Sequence, residues 1–138
     1  MDLIAFAHQM AAQSLDPSTK VGAVIAAPDL VVGTGFNHLP WQAPEEWWND
    51  REKKYKAVVH AEVAAILDAG KLARGCTMYV THHPCRECAK VIAAAGIACV
   101  VCPAEPWRDD PAVRDTVEDA KMLLEVSGVQ MVNSKGRQ

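Results

Sequence analysis

His60 and Glu62, separated by one alanine, and Cys85 and Cys88, in the run Pro84-Cys85-Arg86-Glu87-Cys88, are the residues of this chain whose types and spacing can do chemistry. An imidazole and two thiols are good ligands for a borderline-soft cation. Bound by only those three protein groups, a tetrahedral zinc ion keeps one position open for water, which is the pattern of catalytic rather than structural sites. Zinc brings the pKa of such a water down to roughly 7, so hydroxide is available at neutral pH. Glu62 need not be a ligand and is then free to shuttle protons.

The elements that must position these groups are legible around them. His60 to Leu67 reads as a helix closed by Ala69-Gly70, and Cys85 to about Ala95 as a helix stopped by Gly96. Both half-motifs therefore sit at helix starts. Cys85 and Cys88 share one face of a first turn. His60 and Glu62 would diverge in mid-helix, but at a helix start both can converge ahead of it, because side chains lean toward the N-terminus. Two helix N-termini aimed at one point favour thiolate over thiol and hydroxide over water.

A structural zinc site would need a fourth protein ligand, and Cys99-Val100-Val101-Cys102 offers a second C-x-x-C. In a strand, residues three apart point to opposite faces, so Cys99 and Cys102 cannot both face one ion. At least one of them, and Cys76 with it, reads as a small buried hydrophobe. His82 and His83 read as a loop feature rather than a ligand pair, and His8 and His38 have no partner that the sequence names.

Elsewhere, Leu3, Phe6, Met10 and Ser14 fall on one face of an amphipathic helix over residues 2–15, ended by Asp16-Pro17-Ser18. Residues 21–26 and 30–36 are β-rich runs joined as a hairpin. Residues 38–58, holding Trp41, Trp47 and Trp48, read as a long structureless loop. Such a loop is uncommon unless functional, and it serves either as a lid or oligomer contact or as a cover that folds its own tryptophans onto the core. Thr77–Thr81 and Ile97–Cys102 read as strands. A loop with Trp107 follows, then a long helix through Val113, Val117, Ala120 and Leu124 ended by Gly128, a final strand Val129–Val132 and a frayed tail from Asn133. Strands alternating with helices predict a three-layer α/β/α fold, with helices on both faces of a mixed sheet.

With 138 residues, half of them hydrophobic and 22% charged, the chain reads as one globular domain spanning residues 1–138. Its formal net charge of −3 disfavours a long nucleic acid as partner, while one local Arg or Lys suffices for a mononucleotide. The N-terminal residues lack the pattern of a signal peptide and no apolar run reaches spanning length, so the expected location is the cytoplasm, with no membrane partner. An odd number of cysteines, five, with two at metal-like spacing, argues against a disulfide framework.

The motif H-x-E…P-C-x-x-C is the signature of zinc-dependent nucleobase deaminases. Together with Asp16-Pro17-Ser18-Thr19-Lys20-Val21-Gly22-Ala23-Val24-Ile25, Gly35-Phe36-Asn37-His38-Leu39-Pro40, Asp50-Arg51-Glu52-Lys53-Lys54-Tyr55 and Ala95-Gly96-Ile97, the chain resembles the cytidine and deoxycytidylate deaminase superfamily, most closely its dCMP deaminase branch. The resemblance implies a five-stranded sheet, zinc on His60, Cys85 and Cys88, and Glu62 as proton shuttle. It further implies that Asn37 bonds the sugar or base, that the Ala61 N–H bonds the pyrimidine carbonyl and that the Pro84 carbonyl lies near the departing amine. Members are homo-oligomers, hexamers or dimers. Three positions depart from the family pattern: Ala64 and His38 replace the usual asparagine and glycine, and Cys102 stands where an aromatic is expected, with Trp107 as a candidate replacement. The expected reaction is hydrolysis of dCMP to dUMP and ammonia. Deamination of cytosine, guanine, a nucleoside or a modified pyrimidine is the nearest rival, ahead of a nucleic-acid base editor or a non-catalytic zinc module.

Overall fold

A computed structural model describes residues 1–135. Its elements are helix α1 (Leu3–Ala11), strands β1 (Gly22–Ala27) and β2 (Leu30–Phe36), a 3-10 helix (Glu45–Asn49), α2 (Arg51–Ala57), α3 (Ala61–Ala69), which runs on into a short 3-10 turn (Gly70–Ala73), β3 (Thr77–Val80), α4 (Arg86–Ala94), β4 (Cys99–Cys102), α5 (Pro111–Val126) and β5 (Gln130–Asn133). The five strands form one sheet in the order β2-β1-β3-β4-β5. β1 is antiparallel to β2 and β3, while β3, β4 and β5 run parallel, so the sheet is mixed as expected. No helix among the described residues is long and apolar enough to cross a membrane.

Successive strand residues face opposite sides, and β1 shows what each side meets. At Gly22 a Cβ would run into the backbone of Ala7 and Ala11 on α1. Ala23 and Ile25, in contrast, join a core with Ala61, Ala65 and Ala69 of α3, Cys88, Ala89 and Ile92 of α4, and Ala120 and Leu124 of α5. Helix α1 therefore covers one face and α3, α4 and α5 the other, which is the predicted three-layer arrangement.

The approach of α3 to the edge of the sheet is unusually close because small residues meet there. Ala61, Ala65 and Ala69 lie at helical spacing opposite Gly33 and Gly35 of β2. A Cβ on Gly35 would stand 2.7 Å from the Ala61 carbonyl oxygen and 2.8 Å from the Ala64 Cβ. The Asp68 carboxylate pins the same helix by accepting from the Thr34 N–H at 2.9 Å. A bulge in the pairing of β1 and β2, between Ile25 and Ala26, sits beside Gly33.

Several boundaries differ from the sequence expectation. Helix α1 stops at Ala11 rather than near residue 15, and its buried stripe is Ala7 and Ala11, with Leu3, Phe6 and Met10 only half-buried. Ser14 leaves the helix because its hydroxyl donates to the Asn37 carbonyl oxygen at 2.8 Å. Residues 38–58 are not structureless: the 3-10 helix and α2 occupy much of that stretch, the latter capped by Asp50, whose side chain accepts from the Lys53 N–H at 3.2 Å. The polar end is also more ordered than a frayed tail. Asn133 belongs to β5, and the Ser134 N–H donates to the Cys102 carbonyl oxygen at 2.9 Å. The remaining tail residues, 136–138, lie outside the described residues. Cys99 and Cys102 do face opposite sides of β4: Cys102 joins the core and Cys99 is half-buried on the other side.

Adding one methyl at Gly35 should force α3 off the sheet. Gly35→Ala is expected to cost about 1–3 kcal/mol, read as a lowered urea midpoint with an unchanged slope, whereas an alanine at the surface-facing Asp29 turn should leave it in place.

Candidate metal centre and substrate cavity

His60 is the residue immediately before α3 and Cys85 the residue immediately before α4. Neither has yet entered its helix, so both side chains project ahead of the first turn. Cys88, in the first turn of α4, points back to the same place. The donor atoms of His60, Cys85 and Cys88 all lie within 4.8 Å of one another. His60 Nδ1 is 3.1 Å from Cys88 Sγ and 3.6 Å from Cys85 Sγ. A tetrahedral zinc ion with ordinary bond lengths separates its nitrogen and sulfur ligands by about 3.6 Å. The donor set and its spacing thus fit zinc, and among the described residues no fourth His, Cys, Asp or Glu joins the group.

The electrostatics follow from crowding these groups at two helix starts. Cys85 accepts from the Cys88 N–H at 3.4 Å. A hydrogen bond from the Cys88 thiol, joined by the His60 ring, brings the Cys85 thiol down to about 4 despite its burial. Cys88 is pushed far up by the same neighbour and by burial, and His60 is raised chiefly by its bond to Cys85. The Glu62 carboxyl, only 5% exposed in the first turn of α3, is lifted to about 7 by burial against the opposing pull of His60. A carboxyl poised there can both accept and return a proton near neutral pH.

These groups open onto a cavity of about 690 Å³, within the usual range for a small-molecule site. His60, Ala61, Glu62 and Cys85 line one part of it, while Trp48, Arg51, Lys54, Tyr55, Trp107 and Arg108 line others. Ala61, fully buried, is the first residue of α3, so its N–H precedes the helix's own hydrogen-bond ladder. Pro84 is buried, and its carbonyl oxygen accepts from His83 Nδ1 at 2.9 Å. Asn37 lines the cavity, yet its side chain is heavily engaged within the protein. Its Nδ2 donates to Asp16 Oδ2 at 3.0 Å and to the Thr19 carbonyl oxygen at 2.9 Å, and its Oδ1 accepts from the Val21 N–H at 2.8 Å.

The residues that depart from the family pattern divide. Trp107 lines the cavity; His38 and Ala64 do not. The His38 ring stacks on Trp41 with centroids 3.7 Å apart, and Trp41 is 77% exposed. The three tryptophans of residues 38–58 therefore have different fates: Trp48 is buried at the cavity wall, Trp47 half-buried and Trp41 exposed. His82 and His83, read from sequence as a loop feature, both line the cavity, and burial lowers the pKa of each. The cavity cations Arg51, Lys54 and Arg108 went unassigned from sequence. Their one signal was a charged run beside a proline- and tryptophan-rich stretch.

A family model described as the cytidine and deoxycytidylate deaminase zinc-binding region matches residues 1–104. The chain is 35% identical to the deoxycytidylate deaminase of Homo sapiens over 137 residues, covering 91% of this chain and 74% of that one. It is 46% identical to an uncharacterized deaminase from Aliivibrio fischeri over 91 residues, 65% of this chain and 62% of the relative's length. Among solved structures, Acinetobacter baumannii RibD superposes with a TM-score of 0.69 at 27% identity, covering 96% of this chain and 34% of that one. The dCMP deaminase of the cyanophage S-TIM5, in complex with dCMP and dUMP, gives a TM-score of 0.71 at 24% identity, covering 95% and 93%; at that identity the likeness bears on the fold.

Removing either thiol should remove the metal. Elemental analysis is expected to find one bound metal ion per chain in the unsubstituted protein and in Cys99→Ala, and substoichiometric metal in Cys85→Ala and Cys88→Ala.

Proposed function

This chain belongs to the cytidine and deoxycytidylate deaminase family, and from that premise we propose that it is a zinc-dependent hydrolase converting dCMP to dUMP and ammonia. One observation supports the choice of a monophosphate above the others. The cavity that holds the donor cluster and Glu62 is also lined by Arg51 and Arg108, and among the described residues neither arginine makes an ion pair. Lys54, the third cation of the wall, is already committed to Asp16 at 2.7 Å. Two guanidiniums without an acidic partner, that of Arg51 resting over the Tyr55 ring, line the same cavity as the buried Glu62 carboxyl and suit a substrate with an aminated ring at one end and a phosphate at the other. The kinship with deoxycytidylate deaminases agrees with that substrate.

In this reading His60, Cys85 and Cys88 hold zinc, which supplies the Lewis acidity that makes water nucleophilic at neutral pH. Glu62 takes one proton from the attacking water and delivers it to the ring nitrogen, then moves the remaining proton of that oxygen, now bonded to the ring carbon, to the amine as the carbon–nitrogen bond breaks and the carbonyl forms. Its burial, which lifts it to about 7, equips it for both directions. The Ala61 N–H, unclaimed by its helix, bonds the ring carbonyl. The Pro84 carbonyl, oriented by His83, accepts from the amine that departs. Asn37, with both amide hydrogens bonded inside the protein, offers the substrate its remaining Oδ1 lone pair and fixes the backbone around it. The proposal extends to residues 1–138 acting as one domain, to a cytoplasmic location and to a homo-oligomer, either dimer or hexamer.

Zinc-loaded protein should release ammonia from dCMP. Glu62→Ala should lower kcat by at least about 10²-fold, the range for loss of an acid–base group, with zinc still bound. Arg108→Ala should raise KM for dCMP by on the order of tenfold, as expected for a lost charge-assisted bond, and leave deoxycytidine turnover unchanged. Turnover confined to a free base, a nucleoside or a tRNA would refute the dCMP assignment.

A further inference from the structure

Asp16 lies under the cavity wall, only 4% exposed, and its carboxylate is surrounded by donors. Oδ1 accepts from the Ser18 N–H at 2.8 Å, the Thr19 N–H at 3.3 Å and Lys54 Nζ at 2.7 Å, and Oδ2 accepts from Asn37 Nδ2 at 3.0 Å. The turn after α1, the end of β2 and α2 are thus joined at one carboxylate. The Lys54 side chain is itself 14% exposed and lies 5.7 Å from the centre of the Trp48 ring.

Apart from the burial of Trp48 and the stacking of Trp41 on His38, what Lys54 holds has few ties to the rest of the chain. Helix α2 has seven residues, none of them buried, and packs mainly on the 3-10 helix before it. Among the described residues, Lys54–Asp16 is the one side-chain hydrogen bond or ion pair joining residues 40–57 to the rest of the chain. That segment nevertheless supplies Trp48, Asn49, Arg51 and Tyr55 to the cavity. A wall so placed, with one polar side-chain tie to the rest of the chain, takes its position in large part from that anchor.

We infer that Lys54 is a positioning residue: its ion pair with Asp16 is the strut that holds the Trp48–Tyr55 wall at the distance where substrate is gripped. The strut acts on binding and leaves the metal cluster and Glu62, which stand on α3 and α4, to carry the chemistry. An arginine can replace it by presenting the same charge to the same carboxylate; a methionine keeps the stem and loses the strut.

The kinetic part of the test rests on the dCMP reading, so a second arm needs no substrate. Lys54→Met, Lys54→Gln and Lys54→Arg are compared with the unsubstituted protein, each with zinc content measured. The strut predicts at least a tenfold rise in KM for dCMP in Lys54→Met and Lys54→Gln, kcat within about threefold, unchanged zinc, and recovery in Lys54→Arg. In the second arm the proteins are digested with a glutamate-specific protease. Cleavage after Glu45, Glu46 and Glu52 should quicken at least tenfold in Lys54→Met and Lys54→Gln but not in Lys54→Arg, while cleavage after Glu87 and Glu118 stays as it was. Unchanged KM and unchanged cleavage of residues 45–52 would overturn the inference. So would a fall in kcat at constant KM, or an acceleration spread equally over all five sites. If the unsubstituted protein does not turn over dCMP, the substrate assignment fails and the digestion arm alone decides on the strut.

Discussion

Two helices begin at almost the same point in space, and the residue just before each of them is a candidate metal ligand. His60 precedes α3, Cys85 precedes α4, and Cys88 reaches back from the first turn of the second helix. Their meeting is possible only because α3 lies nearly against the backbone of β2, where alanines on the helix face glycines on the strand. A side chain at Gly35 would push the start of α3 away from its partner and separate donors that now lie within 4.8 Å. The donor cluster is in this sense a consequence of sheet packing. The orphan N–H groups and dipoles of two helix starts then add the positive potential that suits thiolates and a developing negative charge.

Burial supplies the second requirement. Glu62 stands in the first turn of α3, two residues after His60, and is almost wholly withdrawn from water, so its carboxyl is raised to about 7. The start of one short helix therefore presents a candidate ligand, a backbone donor and a candidate proton carrier from three consecutive residues, His60, Ala61 and Glu62. The cavity completes the arrangement with cations supplied from elsewhere in the chain, Arg51 before the motif and Arg108 after it.

The donor cluster was legible in the sequence because each half of it is local: C-x-x-C spacing, a histidine two before a glutamate and the glycines that close both helices are all short-range signals. The layers of the fold were legible for the same reason, since hydrophobic periodicity and turn residues act over a few positions. What escaped was either long-range or weakly periodic. The Lys54–Asp16 pair joins residues 38 apart, and nothing in either neighbourhood names the other. Residues 38–58 looked structureless because a five-residue 3-10 helix and a seven-residue α-helix bury too little to show a periodic apolar face, although Asp50 as an N-cap was a visible clue. Ser14 looked like a helix residue on spacing alone, but its hydroxyl is drawn to Asn37 across the fold.

X-ray absorption at the zinc edge of the metal-loaded protein tests the central claim most directly: that three ligands from two helix starts leave one position for water. The account predicts two sulfurs at about 2.3 Å and two light atoms at about 2.0–2.1 Å, one of them from imidazole. A third or fourth sulfur in the coordination shell, drawn from Cys99 or Cys102, would contradict it and make the site a structural one.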